Sequence, residues 1–291
     1  MSLCYLNGQF LPIDEARISP LDRGFLFGDG AYELIPVYSR RPFRQDEHLK
    51  RLQHTLDGIR LANPLSLDDW RAAIARLIDD APFEDQSIYL QVTRGADTKR
   101  DHAFPLRVAP TVFMFSAPLV TPSAEQRARG VGCVTALDNR WLRCDLMVLA
   151  LLPNVLLRQQ AVEEGCAEAI LLRDGYLTEG AASNIFICQD GVLLAPPKGH
   201  LMLPGITYDV VLELAQQKAL PHEVREISER ELRDADEIWV TSSTREVMPC
   251  TTLDGRPVGR GKMAGVPGPM ARQMYDWYGD FRDNVMRNSD G

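Results

Sequence analysis

The chain has 291 residues, 45% of them apolar and 25% charged, with a formal net charge of -8 at pH 7. This is the composition of an ordinary folded protein, and it excludes a disordered or fibrous chain. The acidic balance, with arginines scattered among carboxylates, argues against a nucleic-acid surface, and the length favours two domains that each bury a core.

Met1 to Phe10 shows no basic lead followed by a long apolar stretch, so no secretory signal is read there. The longest apolar run in the middle of the chain, Leu146 to Leu152, is too short to cross a bilayer, and a cytoplasmic protein without membrane contact is expected. Cys4, Cys133, Cys144, Cys166, Cys188 and Cys250 form no Cys-x-x-Cys pair, and no histidine stands at metal-ligand spacing. Reduced, mostly buried thiols and no metal site are the expectation.

Asn7-Gly8 between two apolar stretches predicts an opening β-hairpin. A loop through Pro20, Gly24, Gly28 and Gly30 leads into a buried strand over 31–38. Asp46 is the expected cap of a helix carrying Leu49, Leu52, Leu56 and Ile59, and a second helix follows over 67–79 with Trp70, Ile74 and Leu77 on one face. Strands are expected over 87–93 and 111–115. Pro118 to Gly130, with two prolines and a polar run, predicts a linker, which divides the chain into an N-terminal α/β domain over 1–120, a connection over 121–130 and a hairpin-rich α/β domain over 131–291. The second domain opens on a strand over 131–136 and a helix over 154–164. Hairpin turns are expected at Asp174-Gly175, Asp190-Gly191 and Asp254-Gly255, and helices over 208–218 and near the carboxyl end. The fold class is therefore mixed α/β, or α+β, in two domains.

Several motifs recur in order: Asp22-Arg23-Gly24 with Phe27-Gly28-Asp29-Gly30, Glu47-His48-Leu49-Lys50-Arg51-Leu52, Leu152-Pro153-Asn154-Val155, Thr178-Glu179-Gly180 with Ser183-Asn184, Leu203-Pro204-Gly205-Ile206-Thr207, and Thr241-Ser242-Ser243. Together they resemble the signature of the fold-type IV, or class IV, pyridoxal-phosphate aminotransferases of the D-amino acid aminotransferase kind, over nearly the whole chain. The resemblance implies a two-domain fold holding pyridoxal or pyridoxamine phosphate between its domains, and a homodimer in which each site borrows a loop from the partner.

Pyridoxal phosphate presents a phosphate dianion, a pyridine nitrogen and an aldehyde, each wanting a different partner. Arg51 offers a guanidinium fork and Gly205, Ile206 and Thr207 the open N–H groups of a helix start, with hydroxyls from Ser242 and Ser243. By the family pattern Glu179 faces the ring nitrogen. Taken alone, Arg51 reads as a surface helix arginine and Glu179 as a turn residue. Arg100, His102 and Tyr32 resemble the trap for a substrate α-carboxylate, which implies an α-amino or α-keto acid ligand. The loop is one residue longer than the family's, with Asp97, Thr98 and Lys99 ahead of the pair.

One position departs further. Trp141-Leu142-Arg143-Cys144-Asp145 is followed by Leu146-Met147-Val148, where the family runs Asp-Ile-Lys-Ser, so Met147 stands at the position of the lysine that bonds the cofactor and Val148 at that of a serine. A thioether neither bonds the cofactor carbonyl nor carries a proton. The expectation is non-covalent cofactor binding with impaired transamination. A non-catalytic protein that binds cofactor or keto acid, and a pocket reused for another phosphorylated or carboxylated ligand, stay open beside it.

Overall fold

In the computed structural model, which describes residues 3–288, Asn7 and Gly8 both take positive φ, 49° and 92°. That pair of dihedrals matches the right-handed twist of its flanking strands, so β1 (Leu3–Leu6) and β2 (Gln9–Pro12) pair directly as an antiparallel hairpin. The chain divides into two units: one runs to Val120 and adds Leu146–Leu151 and the chain from Met286, and the other comprises Thr121–Asp145 and Leu152–Val285.

After the hairpin, unit 1 contains α1 (Arg23–Phe27), β3 (Gly30–Tyr38), β4 (Arg41–Pro42), α2 (Gln45–Gly58), α3 (Leu67–Asp80), β5 (Gln86–Thr93) and β6 (Thr111–Pro118). Its strands form one antiparallel sheet in the order β2-β1-β6-β5-β3-β4. The apolar spacing of α2 and α3 sets Leu49, Leu52, Leu56, Trp70, Ile74 and Leu77 against Ile35, Ile88 and Leu90 of the sheet. Each such fully buried side chain contributes about 1.5–3 kcal/mol relative to exposure. A reciprocal capping box of Ser66 and Asp69 starts α3. The start of α2 differs from the expectation: its N-cap is Arg44, in a left-handed conformation, while Asp46 lies inside the first turn with its carboxylate on Arg71 Nη2 at 2.6 Å. A carboxylate there still favours the positive end of the helix, which is why it reads as a cap in sequence.

Unit 2 begins with α4 (Ala124–Arg129), capped by a Ser123–Gln126 box, so the stretch 121–130 expected to be a linker holds a helix instead. The Ser-x-x-Gln spacing that starts it is present in sequence, hidden by the prolines before it. There follow β7 (Val131–Leu137), α5 (Leu152–Glu163), β8 (Glu168–Arg173), β9 (Tyr176–Gly180), β10 (Asn184–Gln189), β11 (Val192–Ala195), α6 (Ile206–Gln217), β12 (His222–Val224), α7 (Glu229–Arg233), β13 (Glu237–Ser242), β14 (Glu246–Leu253), β15 (Arg256–Pro257) and α8 (Pro269–Phe281). Their sheet runs β12-β11-β10-β13-β14-β7-β8-β9, with β15 on β14. The three Asp-Gly turns all take positive φ at both residues, as the hairpin reading requires. One layer of the core lies around Ile185, Ile187, Ile238 and Val240, and a second under α5 around Ala136, Leu157, Ala161 and Leu171.

The segment Leu146–Leu151 lies in unit 1, although the sequence placed it within the second domain. Ala31 and Val148 form an antiparallel bridge, and Leu149 N–H donates to Gly30 O at 3.0 Å. The approach is close enough that a Cβ on Gly30 would meet Leu149 Cδ1 at 2.7 Å and Val92 O at 2.4 Å. The glycine is thus required by space rather than by dihedral freedom.

Candidate active site

Within unit 1, Tyr32 lies on β3 and Arg51 on α2, while Arg100 and His102 lie between β5 and β6 and Met147 on the segment Leu146–Leu151. Alternation along β3 turns Ala31, Glu33 and Ile35 to one buried face. His48 and Arg51, three apart on α2, meet Glu33 there: His48 Nδ1 lies 2.9 Å from Oε2, while Arg51 donates from Nε to Oε1 at 2.7 Å and from Nη2 to Oε2 at 2.9 Å. Burial alone would raise the Glu33 carboxyl, but the Arg51 guanidinium and the His48 bond outweigh it and hold the group at about 2. Burial pulls His48 below its ordinary value despite Glu33, so the ring is neutral, with Nδ1–H assigned as donor to the carboxylate. Arg51 is therefore a buried, oriented guanidinium rather than a surface one.

One turn beyond Arg51, Thr55 Oγ1 accepts the Met147 N–H at 3.1 Å, and the Met147 carbonyl accepts the Tyr32 N–H at 3.0 Å. Met147 is half-buried between the buried Leu146 and Val148. The Tyr32 ring stacks on Tyr89 at 5.9 Å. Arg100 and His102 stand exposed on the loop between β5 and β6, both against Phe27, with Arg100 5.0 Å over its ring and the His102 ring 5.2 Å away. All five lysines, Lys50, Lys99, Lys198, Lys218 and Lys262, are exposed.

Within unit 2, Glu179 ends up buried on β9 beneath a guanidinium it shares. Arg140 Nη1 donates to Glu179 Oε1 at 2.5 Å, and its Nε and Nη2 donate to Asp138 at 2.8 and 2.9 Å. Burial pushes the Glu179 carboxyl up to about 7, because Arg140 and the Leu203 N–H only partly offset it and the Asp138 carboxylate adds to the rise. Asp138 is held below its ordinary value: burial is outweighed there by Arg140, with Arg173 Nη2 also 3.0 Å away.

Glu179 Oε2 also accepts from Asn184 Nδ2 at 3.3 Å and from Leu203 N–H at 3.2 Å, and Asn184 Nδ2 donates to Leu203 O at 3.0 Å. Gly205 packs on that same amide, since a Cβ on it would lie 2.0 Å from Asn184 Oδ1. Gly205 is the N-cap of α6 without a side-chain bond, and Ile206 and Thr207, both buried, open the helix with N–H groups that have no acceptor inside it. Asn184 pairs with Thr241 across β10 and β13, so Ser242 and Ser243, both half-buried at the end of β13, fall beside this cluster. Ser242 Oγ accepts the Arg245 N–H at 3.1 Å.

Sequence alone assigns no role to Glu33, His48, Thr55, Asp138, Arg140 or Asn184. A lone carboxylate inside the apolar run 31–38 is the signal that could have found Glu33. Arg140, 39 residues from Glu179, leaves no comparable trace. Among the described residues no helix is long and apolar enough to cross a membrane, and no group of side chains forms a metal site.

The model of the amino-transferase class IV family matches residues 30–253. The chain is 38% identical to the D-alanine aminotransferase of Bacillus licheniformis, over 92% of its own length and 93% of that protein's. It is 37% identical to the D-alanine aminotransferase of Staphylococcus aureus (strain MW2), over 96% and 97%. Among solved structures it is similar to the T.th. branched-chain amino acid aminotransferase with pyridoxamine 5'-phosphate, with a TM-score of 0.87, 27% identity and coverage of 96% and 93%.

Proposed function

The chain belongs to the class IV aminotransferases, and from that membership we propose that it is a D-amino acid aminotransferase-like protein that binds its cofactor without a covalent bond. Met147 carries the reading. Its backbone is held on both sides, by Thr55 and Tyr32, and its half-buried side chain ends in a thioether at the position of the family's bonding lysine. The exposure of all five lysines supports the view that none replaces it within the chain.

Class IV aminotransferases use pyridoxal phosphate, which when bound supplies an electron sink for bond breaking at a substrate α-carbon. Each unit holds donors suited to a part of it. The open N–H groups of Ile206 and Thr207, with the hydroxyls of Thr207, Ser242 and Ser243, would hold a phosphate, and the absence of a Cβ at Gly205 keeps the helix start free. Arg51, oriented by Glu33, would add a guanidinium. Glu179, buried and bonded to Arg140 and Asn184, would face the ring nitrogen and hold a proton on it. Arg100 and His102 would grip the α-carboxylate of an amino or keto acid, in keeping with the D-alanine aminotransferase relatives.

Met147 offers no nitrogen to move a proton, and loss of a positioned acid/base group costs about 10² to 10⁴ in rate. Transamination is therefore slow in this reading. A homodimer is part of the proposal: α5 leaves Leu152, Val155, Leu156 and Val162 exposed at helical spacing, an apolar face suited to a second copy.

Intact mass after borohydride treatment of the protein saturated with pyridoxal phosphate tests the central claim. The expected result is saturable binding, measured by titration, with no mass added to the chain. A gain of one cofactor mass would show that a lysine still bonds it and would end this reading.

A further inference from the structure

We propose that Arg23, acting with Asp29 and Phe27, is a positioning residue that presets the Arg100–His102 loop for a ligand carboxylate. This rests on the reading of Arg100 and His102 given above. Residues 97–110 carry neither helix nor strand, and a loop of that kind must be ordered at an entropic cost each time it grips a ligand, unless something already holds it.

Arg23, on the short α1, is 4% exposed and serves as that hold. Its Nη1 donates to Asp101 O at 2.5 Å and Ala103 O at 3.3 Å, and its Nη2 to His102 O at 3.2 Å, so one guanidinium binds three consecutive carbonyls of the loop. Its Nε donates to Asp29 Oδ2 at 2.8 Å. Asp29 in turn accepts from Arg94 Nε at 2.9 Å and Nη2 at 3.0 Å, and Arg94 lies 3.8 Å over the Phe104 ring. The loop is thus tied at 101–103 by one arginine and at 104 by another, with a single carboxylate joining the two.

The side chains are set as well as the backbone. Phe27 faces Arg23 at 4.9 Å, Arg100 at 5.0 Å and the His102 ring at 5.2 Å. Two groups that must converge on one carboxylate therefore stand on one ring, which is itself part of the helix that carries Arg23. A lysine at position 23 would keep the charge but lose the planar fork that spans three carbonyls and Asp29 together.

Calorimetric titration of the cofactor-loaded protein with pyruvate tests this on Arg100→Ala, Arg23→Lys and Phe27→Leu, with titration of pyridoxal phosphate and hydrogen exchange of 101–103 measured on each. Arg100→Ala should weaken pyruvate binding by about tenfold or more. Arg23→Lys and Phe27→Leu should weaken it by about fivefold to tenfold, with faster exchange of the loop amides and unchanged affinity for pyridoxal phosphate. Phe27→Leu keeps the test decisive should Arg23→Lys fail to fold. If Arg100→Ala weakens binding while Phe27→Leu and any folded Arg23→Lys match the wild type, the positioning role is overturned and the carboxylate reading survives. If Arg100→Ala binds pyruvate like the wild type, or the wild type does not bind it, the carboxylate reading falls and the positioning role with it.

Discussion

The Met147 N–H donates to Thr55 Oγ1 at 3.1 Å, and Thr55 lies one turn of α2 beyond Arg51. The same helix that presents a buried guanidinium therefore fixes the backbone of Met147. Because that backbone is held from both sides, a change of side chain at 147 leaves its path in place.

Met147→Lys is accordingly expected to bond the cofactor. Borohydride treatment should add one cofactor mass to the variant, and transamination of D-alanine should rise by about 10² to 10⁴ over the wild type. An unchanged mass, with the fold intact by circular dichroism, would show that position 147 does not reach the reacting carbon.

Glu33→Gln removes the counter-charge of Arg51 inside the core. Breaking a buried pair on one side costs about 3–5 kcal/mol, to be read from urea unfolding at pH 7. The wild-type carboxyl is held at about 2 against an ordinary 4.5, so its contribution is complete above pH 4.5 and is lost as pH falls toward 2. That gap corresponds to about 3 kcal/mol. The variant should lack this part of the acid loss, and equal acid sensitivity of the two proteins would remove the assignment.

Glu179 runs in the opposite sense. Its carboxyl is raised from 4.5 to about 7, so the folded state binds the proton more tightly than the unfolded chain does. Stability from this group is complete below pH 4.5 and declines as pH rises through about 7, by about 3 kcal/mol in all. Melting temperatures of the cofactor-free protein between pH 5 and 8 should show that decline, and Glu179→Gln should flatten it. A variant with the wild-type slope would assign the titration elsewhere.

Gly205→Ala is a purely steric test, since the φ of Gly205 is -71° and suits any residue. The new methyl would lie 2.0 Å from Asn184 Oδ1 and displace an amide that bonds both Glu179 and Leu203. Overpacking of this kind costs about 1–3 kcal/mol, and pyridoxal phosphate affinity should fall with it. Affinity equal to the wild type would separate Gly205 from the proposed phosphate site.

What could be read in sequence is what neighbouring residues determine. The Asn-Gly and Asp-Gly turns occur where they do because those residues tolerate positive φ, and Leu49, Leu52 and Leu56 specify the buried face of α2 by their spacing. The motif residues Arg51, Glu179 and Gly205 stand out by type and order along the chain. Their environment does not, because it is made by contacts across large sequence separations. Glu33 meets Arg51 from 18 residues away and draws into a buried ion pair an arginine that, taken alone, reads as a surface residue. Arg140 reaches Glu179 from 39 residues away, yet burial still lifts that carboxyl to about 7. Likewise Leu146–Leu151 interrupts unit 2 along the chain but bonds to β3 in unit 1. Dihedral preference and hydrophobic period act over a few residues, whereas the charge state of a buried group depends on every element packed around it, and only the tertiary fold assembles those.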